Sequence, residues 1–395
     1  MKLFKIDFLY VAFIISICAL VLQHYGGFPL TPRQSMTLVM FFFCFWKEKR
    51  FYYDNFVKLF FCYVLFFCIG VLTSTLDFSY FLKRLFGDYF VAYIALWTIK
   101  IMVKTNKISV FFNTIIVLSL FDGFVTFCQF LGLPYMDSII NRFGLVTSEL
   151  YQDLQGSEVQ YLTGCAPGIM PNAVVNAQLL LAGLVLTLNY WENRKLIILP
   201  IAFCLFVFLF ATQQRTALGA AVIAYFLFFY KSISYSKYKI IWFFLVGIVL
   251  SGFSYYLYSM LSNSEFRIVE LGFDLTGREL IYQKAYDFIL NNPLGGINDF
   301  LDRNEVYPHN IFLNALIYGG WIGGIILIGL YIQQIRESLL VITNKRLDPI
   351  YMTLCCTLLA LSINGLTHNQ SIVNGEVIVL MTWACLMNYK AVINY

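Results

Sequence analysis

The chain has 395 residues, of which 60% are hydrophobic and 12% charged, with a net charge of +5 and a mean hydropathy of +0.73. A soluble domain carries about 25% charged residues, so these figures exclude an ordinary soluble fold. No basic stripe with interleaved aromatics marks a nucleic-acid surface, and the apolar runs do not alternate as the strands of a membrane barrel would.

Nearly every apolar run is about 15–22 residues long, enough for a helix to cross about 30 Å of hydrocarbon. In chain order the sequence predicts spans at 7–23, 34–46, 57–76, 88–103, 108–131, 172–190, 196–212, 216–230, 240–260, 309–332, 349–367 and 376–389. The first is not expected to be a cleaved leader, because Leu22-Gln23-His24-Tyr25 lacks a small-x-small site and a second span follows at once. The expected fold is therefore an all-α polytopic membrane bundle of about twelve helices, a single integral membrane domain over 1–395.

Lysine and arginine set the orientation. With Lys2 and Lys5 inside, 18 of the 27 basic residues fall on the inside, among them Lys47, Lys49, Arg50, Lys104, Lys107, Arg194, Lys195, Arg336, Lys345 and Lys390. Both termini are then cytoplasmic. About 15 of the 22 acids fall outside, including Glu149, Asp153, Glu270, Asp274 and Asp302. Lys83 and Arg84 run against this trend, either as a topological exception or as partners of a lipid phosphate. Of the ten cysteines only Cys165 lies in an outer loop, so no disulfide framework is expected, and no CxxC pair is present to bind zinc.

Most connections are short. Two expected periplasmic loops, 132–171 and 261–308, are long and share one face, and long ordered loops are usually functional. In the second, Thr276-Gly277-Arg278-Glu279 fits a capping box, with Thr276 as N-cap and Glu279 at the third position. Behind it Ile281, Ala285, Phe288 and Ile289 share one helical face, and Asn291-Asn292-Pro293-Leu294-Gly295-Gly296 stops the helix. A short amphipathic helix near 277–291 is expected, either lying on the membrane surface or plugging the bundle.

Four residues stand out for chemistry. Arg215 sits in the turn Ala211–Ala217 where a helix begins; the positive helix end repels a cation unless an anion is bound there, and a snorkelling arginine is the alternative. Arg278 opens the loop helix, where side chain and helix end would both attract phosphate, or where it is simply solvated. His309, in Val306-Tyr307-Pro308-His309-Asn310, precedes a span directly; a helix N-terminus disfavours imidazolium, and neutral imidazole is what a general base requires, a hydrogen-bonded interfacial histidine being the alternative. Asp122 is the one clear acid within a span, either functional or paired with Gln129 or backbone. His24, His309 and His368 all fall outside but show no ligand spacing, so no metal site is expected. No Asp-x-Asp motif, Walker loop, Gly-x-Gly-x-x-Gly or Gly-x-Ser-x-Gly occurs.

Three segments together resemble the O-antigen polymerase and O-antigen ligase superfamily, integral membrane glycosyltransferases of the bacterial envelope. They are Thr212–Leu218; Thr276–Tyr282 continued by Asn292-Pro293-Leu294-Gly295-Gly296; and His309–Leu313 followed by Tyr318-Gly319-Gly320-Trp321-Ile322-Gly323. Asn172 matches a Pro-Asn element. The resemblance covers 172–332 and implies transfer from a polyprenyl-diphosphate-linked oligosaccharide in the inner membrane, without cofactor or metal. Carried over, Arg215 and Arg278 would bind the diphosphate and His309 would activate the acceptor hydroxyl. Asn310, Glu279, Asn172, Tyr282 and Tyr307 are the expected substrate contacts. Besides membrane lipid, a chain-length regulator protein is a candidate partner.

The chain departs from the Arg-x10-Gly repeats of some polymerases: no arginine here has glycine eleven residues on. The short stretch from Gly296 to His309 favours a polymerase over a ligase, which would instead transfer glycan to lipid A-core. A flippase or transporter is the rival of another class. Such proteins keep paired charges near the midplane, and only Asp122 argues for one.

Overall fold

A computed structural model describes residues 8–21, 32–73, 81–82, 84–131, 133, 166–170, 173–234, 278–297, 299–300, 308, 310–343, 348–366 and 377–393. The expected span at 240–260 lies outside them. Among the described residues there are twelve α-helices and no strand: α1 (Phe8–Val21), α2 (Pro32–Glu48), α3 (Asn55–Thr73), α4 (Phe90–Lys104, entered through a π-helical turn at Leu85–Tyr89), α5 (Ile108–Phe130) and α6 (Ala173–Leu186, continued by a 3-10 turn at Thr187–Tyr190). They continue with α7 (Lys195–Ala211), α8 (Arg215–Ser234), α9 (Arg278–Asn291), α10 (Ile311–Thr343), α11 (Pro349–Leu366) and α12 (Val377–Ile393). Among the described residues, six stretches are long and apolar enough to cross a membrane: Asn55–Leu72, Leu85–Lys104, Ile108–Phe130, Ala173–Tyr190, Ile311–Leu340 and Pro349–Leu366. Shorter apolar helices cover Leu9–Val21, Lys195–Ala211, Arg215–Tyr230 and Val377–Val392. The chain is a multi-pass membrane protein.

The chain divides into two compact units. One comprises Met1–Ile115, Leu275–Ser338 and Leu361–Tyr395; the other comprises Ile116–Asp274 and Leu339–Ala360. In the first, α4 is the central helix. It packs against α12, α2 and α1, and every residue from Val91 to Ile99 is buried. Its C-terminal half is tied to α2 by one carboxylate: Glu48 accepts from the Trp97 indole (3.0 Å), Lys104 (2.9 Å) and Lys100 (3.5 Å). Burial pushes the Glu48 carboxyl up, but Lys104, Trp97 and Lys100 together outweigh it and hold the group below its ordinary value. In the second unit α6 is central, with α7 and α8 packed on it.

Helix starts follow side-chain chemistry. Asp54 Oδ1 accepts from the Val57 amide at 2.8 Å and caps α3. Asp348, followed by Pro349 at the first helical position, accepts from Ile350 (2.8 Å) and Tyr351 (3.3 Å). Both arrangements satisfy amides that a helix leaves unpaired at its first turn.

Candidate functional site

The loop helix α9 begins at Arg278 and ends at Asn291. Ala285, Phe288 and Ile289 are buried, whereas Leu280, Tyr286 and Leu290 are exposed. Glu279 follows Arg278 in the first turn and Tyr282, half-buried, follows one turn later. The stop segment then does something the sequence pattern does not reveal. α10 is interrupted at Gly320, whose φ of 63° and ψ of −166° are open only to glycine. In an unbroken helix the Ile317 carbonyl would accept from the Trp321 amide. Here both partners are taken by the loop: Gly296 N donates to Ile317 O at 2.9 Å, and Trp321 N donates to Pro293 O at 2.9 Å. The Trp321 indole adds a third bond, to the Ile289 carbonyl of α9 at 3.0 Å.

This splice requires glycine on three sides. A Cβ on Gly320 would lie 2.5 Å from Pro293 O, one on Gly295 2.7 Å from Gly320 N, and one on Gly70 of α3 2.5 Å from Leu294 O. The α9 helix is thus locked to the first part of α10, residues 311–319. That part starts at Asn310, whose Oδ1 accepts from the amides of Phe312 (2.9 Å) and Leu313 (3.1 Å). On its far side Tyr318, fully buried, stacks on Phe67 (6.1 Å between centroids) and lies under the Arg84 guanidinium at 5.8 Å. Arg84 is ion-paired with Asp88 of the π-helical turn at 2.7 Å. Arg278, Tyr282 and Asn310 all belong to the first unit, on the two helices that the splice joins. His309, Tyr307 and Thr276 lie outside the described residues, as does Asn172.

Arg215 belongs to the second unit. Like Arg278, it is the first residue of its helix. The turn before it is stiff. Thr212, fully buried, bonds the Leu209 carbonyl at 2.7 Å, and Gln213, nearly buried, adopts a left-handed φ of 56° and bonds the Phe210 carbonyl through both its amide (2.9 Å) and its side chain (3.1 Å). A left-handed glutamine costs on the order of 1 kcal/mol. The Arg215 side chain emerges exposed from this turn. Each arginine thus stands at a helix N-terminus, where exposed amides and the macrodipole favour an anion.

Asp122 has a separate role in the second unit. Its Oδ1 accepts from the Ile169 amide at 2.7 Å; Gln129 accepts from the Gly168 amide (2.8 Å) and donates to its carbonyl (3.2 Å); Asn176 donates to Ala166 O (3.2 Å) and to Thr126 (2.8 Å). All of these side chains are buried. Gly168, at φ 66°, fits among them because a Cβ would meet Asp122 Oδ1 at 2.2 Å. Of the two partners expected for Asp122, backbone is the one found, and Gln129 serves the adjacent residue of the same segment.

Residues 200–328 match the family model described as O-antigen ligase. That stretch contains the Arg215 turn, α9, the splice and the Asn310 cap. No curated protein and no solved structure matches the chain. Residues 200–328 are thus similar to the O-antigen polymerase and ligase superfamily, over the same stretch in which the motifs resemble it.

Proposed function

We propose that this protein polymerises lipid-diphosphate-linked oligosaccharide units at the outer face of a bacterial inner membrane. The observation that supports the reading is that Arg215 and Arg278 each open a helix and that Asn310 caps the start of α10, all within the stretch that the family model matches. In the reaction an acceptor sugar hydroxyl attacks the anomeric carbon of the donor glycan. The bond from that carbon to the phosphate oxygen breaks, and the diphosphate leaves with the electron pair. Arg215 and Arg278 are assigned to the charge that develops there, for which each well-aimed donor is worth about 3 kcal/mol. His309 takes the hydroxyl proton as general base. Asn310, which caps the helix that follows His309 in sequence, is assigned to the substrate with Glu279, Tyr282, Tyr307 and Asn172. A chain-length regulator is the partner protein this reading anticipates.

The description of the matching family model favours a second reading, transfer of finished glycan to lipid A-core. One experiment separates the two. The gene is deleted and the host lipopolysaccharide run on a gel. Core bearing a single repeat unit supports the polymerase. Bare core supports the ligase or a flippase, and unchanged full-length chains would discard both enzyme readings.

A further inference from the structure

A groove of about 410 Å³ lies between α2, α3 and the start of α4. Nine of its eleven lining residues are aromatic, including Phe41, Phe61, Phe86, Phe90 and Tyr93, and Val64 and Leu85 complete it. One end is formed by Phe51, Tyr52 and Tyr53 of the α2–α3 turn. Around that end Lys47, Lys49, Arg50 and Lys58 are all exposed. The acids of the same turn are engaged elsewhere: Glu48 holds Lys100, Lys104 and Trp97, while Asp54 caps α3 and accepts from the Tyr52 hydroxyl. Lys47, Lys49 and Arg50 form no ion pair among the described residues. The ammonium of Lys58 lies 5.1 Å from the Tyr53 ring centre, so a cation stands directly beside the aromatic wall.

We propose that this groove binds one hydrocarbon chain of an anionic membrane phospholipid, with its phosphate held by Lys47, Lys49, Arg50 and Lys58. Three points select this occupant. The wall belongs to helices of a membrane bundle, where only hydrocarbon chains and apolar helices are on offer. A helix is about 10 Å across with its side chains, and two turns of one would need roughly twice the volume. The open cations at the mouth favour a headgroup with net negative charge over a zwitterionic one, whose ammonium they would repel, and basic pockets between helices take anionic headgroups in this way. The charge bias of the loops assigns the site to the cytoplasmic leaflet. It is independent of the proposed glycan chemistry.

The test uses the full-length protein, delipidated in detergent and titrated separately with phosphatidylglycerol and phosphatidylcholine, with bound lipid counted by native mass spectrometry. Phosphatidylglycerol is expected to bind more tightly, and a Lys49→Ala/Arg50→Ala double variant is expected to weaken it by about tenfold or more while leaving phosphatidylcholine unchanged. Val64→Trp, which fills the groove, should remove the tight phosphatidylglycerol site with the cations intact. Should Val64→Trp fail to fold, the charge variant decides alone. Equal binding of the two lipids, or a double variant that binds phosphatidylglycerol as the parent does, would show only non-specific boundary lipid and overturn the proposal.

Discussion

The amide of Gly296 reaches the carbonyl of Ile317 at 2.9 Å, filling a bond that the break at Gly320 opens inside α10. Its counterpart, Trp321 N to Pro293 O, fills the other half. A buried backbone group left unpaired costs about 1–3 kcal/mol, so the helix can be broken in an apolar bundle only because the loop supplies both partners at once. The loop helix and the start of α10 are therefore one mechanical part.

Gly320→Ala should show this directly. The substitution combines a left-handed φ with a Cβ 2.5 Å from two backbone atoms, so a loss of about 3 kcal/mol or more is expected. Thermal unfolding in detergent measures it, and long-chain glycan should vanish in complementation. Gly329→Ala is the control in the same helix. A Cβ there meets nothing within 4 Å, and stability should hold or rise by up to about 1 kcal/mol. If the two variants behave alike, the splice has no energetic weight.

Much of this architecture was legible from hydropathy, because helix length in a bilayer is set by the apolar run. The expected spans 108–131, 196–212 and 349–367 fall within a residue or so of α5, α7 and α11. The misses have physical causes. The expected span 309–332 ends where Gln333, Gln334, Arg336 and Glu337 begin, yet α10 runs on to Thr343. Polar residues that end a hydrophobic run are still good helix formers, and two contacts hold them: Gln334 to Ser362 at 2.6 Å and Glu337 to Lys390 at 2.7 Å. The positions of Arg215, Arg278 and Asn310 at helix starts could be read from the motifs. The reason for the glycines could not, since Gly70 sits in Cys68-Ile69-Gly70-Val71 with no sign that a carbonyl from residue 294 will press against it.

Arg215 and Arg278 carry different expectations under substitution by lysine and by alanine. Alanine removes charge and donors, and a drop of about 100-fold to 1,000-fold in transfer is expected for each. Lysine keeps the charge but loses the planar fork, so an intermediate rate is expected if the target is a diphosphate gripped by paired N–H groups. Arg215 is exposed, so its variants should express and melt as the parent does. Transfer rates in membrane vesicles, normalised to protein level, measure both series, and an Arg215→Ala enzyme with parental rate would remove it from the site.

Asp122 separates an enzyme from a transporter. If its carboxylate serves to hold the Ile169 amide, Asp122→Asn keeps an acceptor oxygen in place and should retain function. Asp122→Ala leaves a buried amide unpaired and should cost about 1–3 kcal/mol. An ion-coupled transporter relying on this acid would lose activity in both. The pair is read by glycan profile and melting temperature together; loss of function in a stably folded Asp122→Asn variant would reinstate transport.

The last expectation concerns acid. Glu48 is held below its ordinary value in the folded protein, burial being outweighed by Lys104, Trp97 and Lys100. A carboxyl with a lowered folded value stabilises the fold above its unfolded value, and that stability is lost as pH falls through the folded one. Melting temperature should therefore fall as pH drops below about 4.5. In Glu48→Gln the drop should be shallower, from a starting point lowered by roughly 1–3 kcal/mol because the bonds to the lysines lose their charge. A variant with the same acid slope as the parent would show that this carboxylate does not tie α2 to α4.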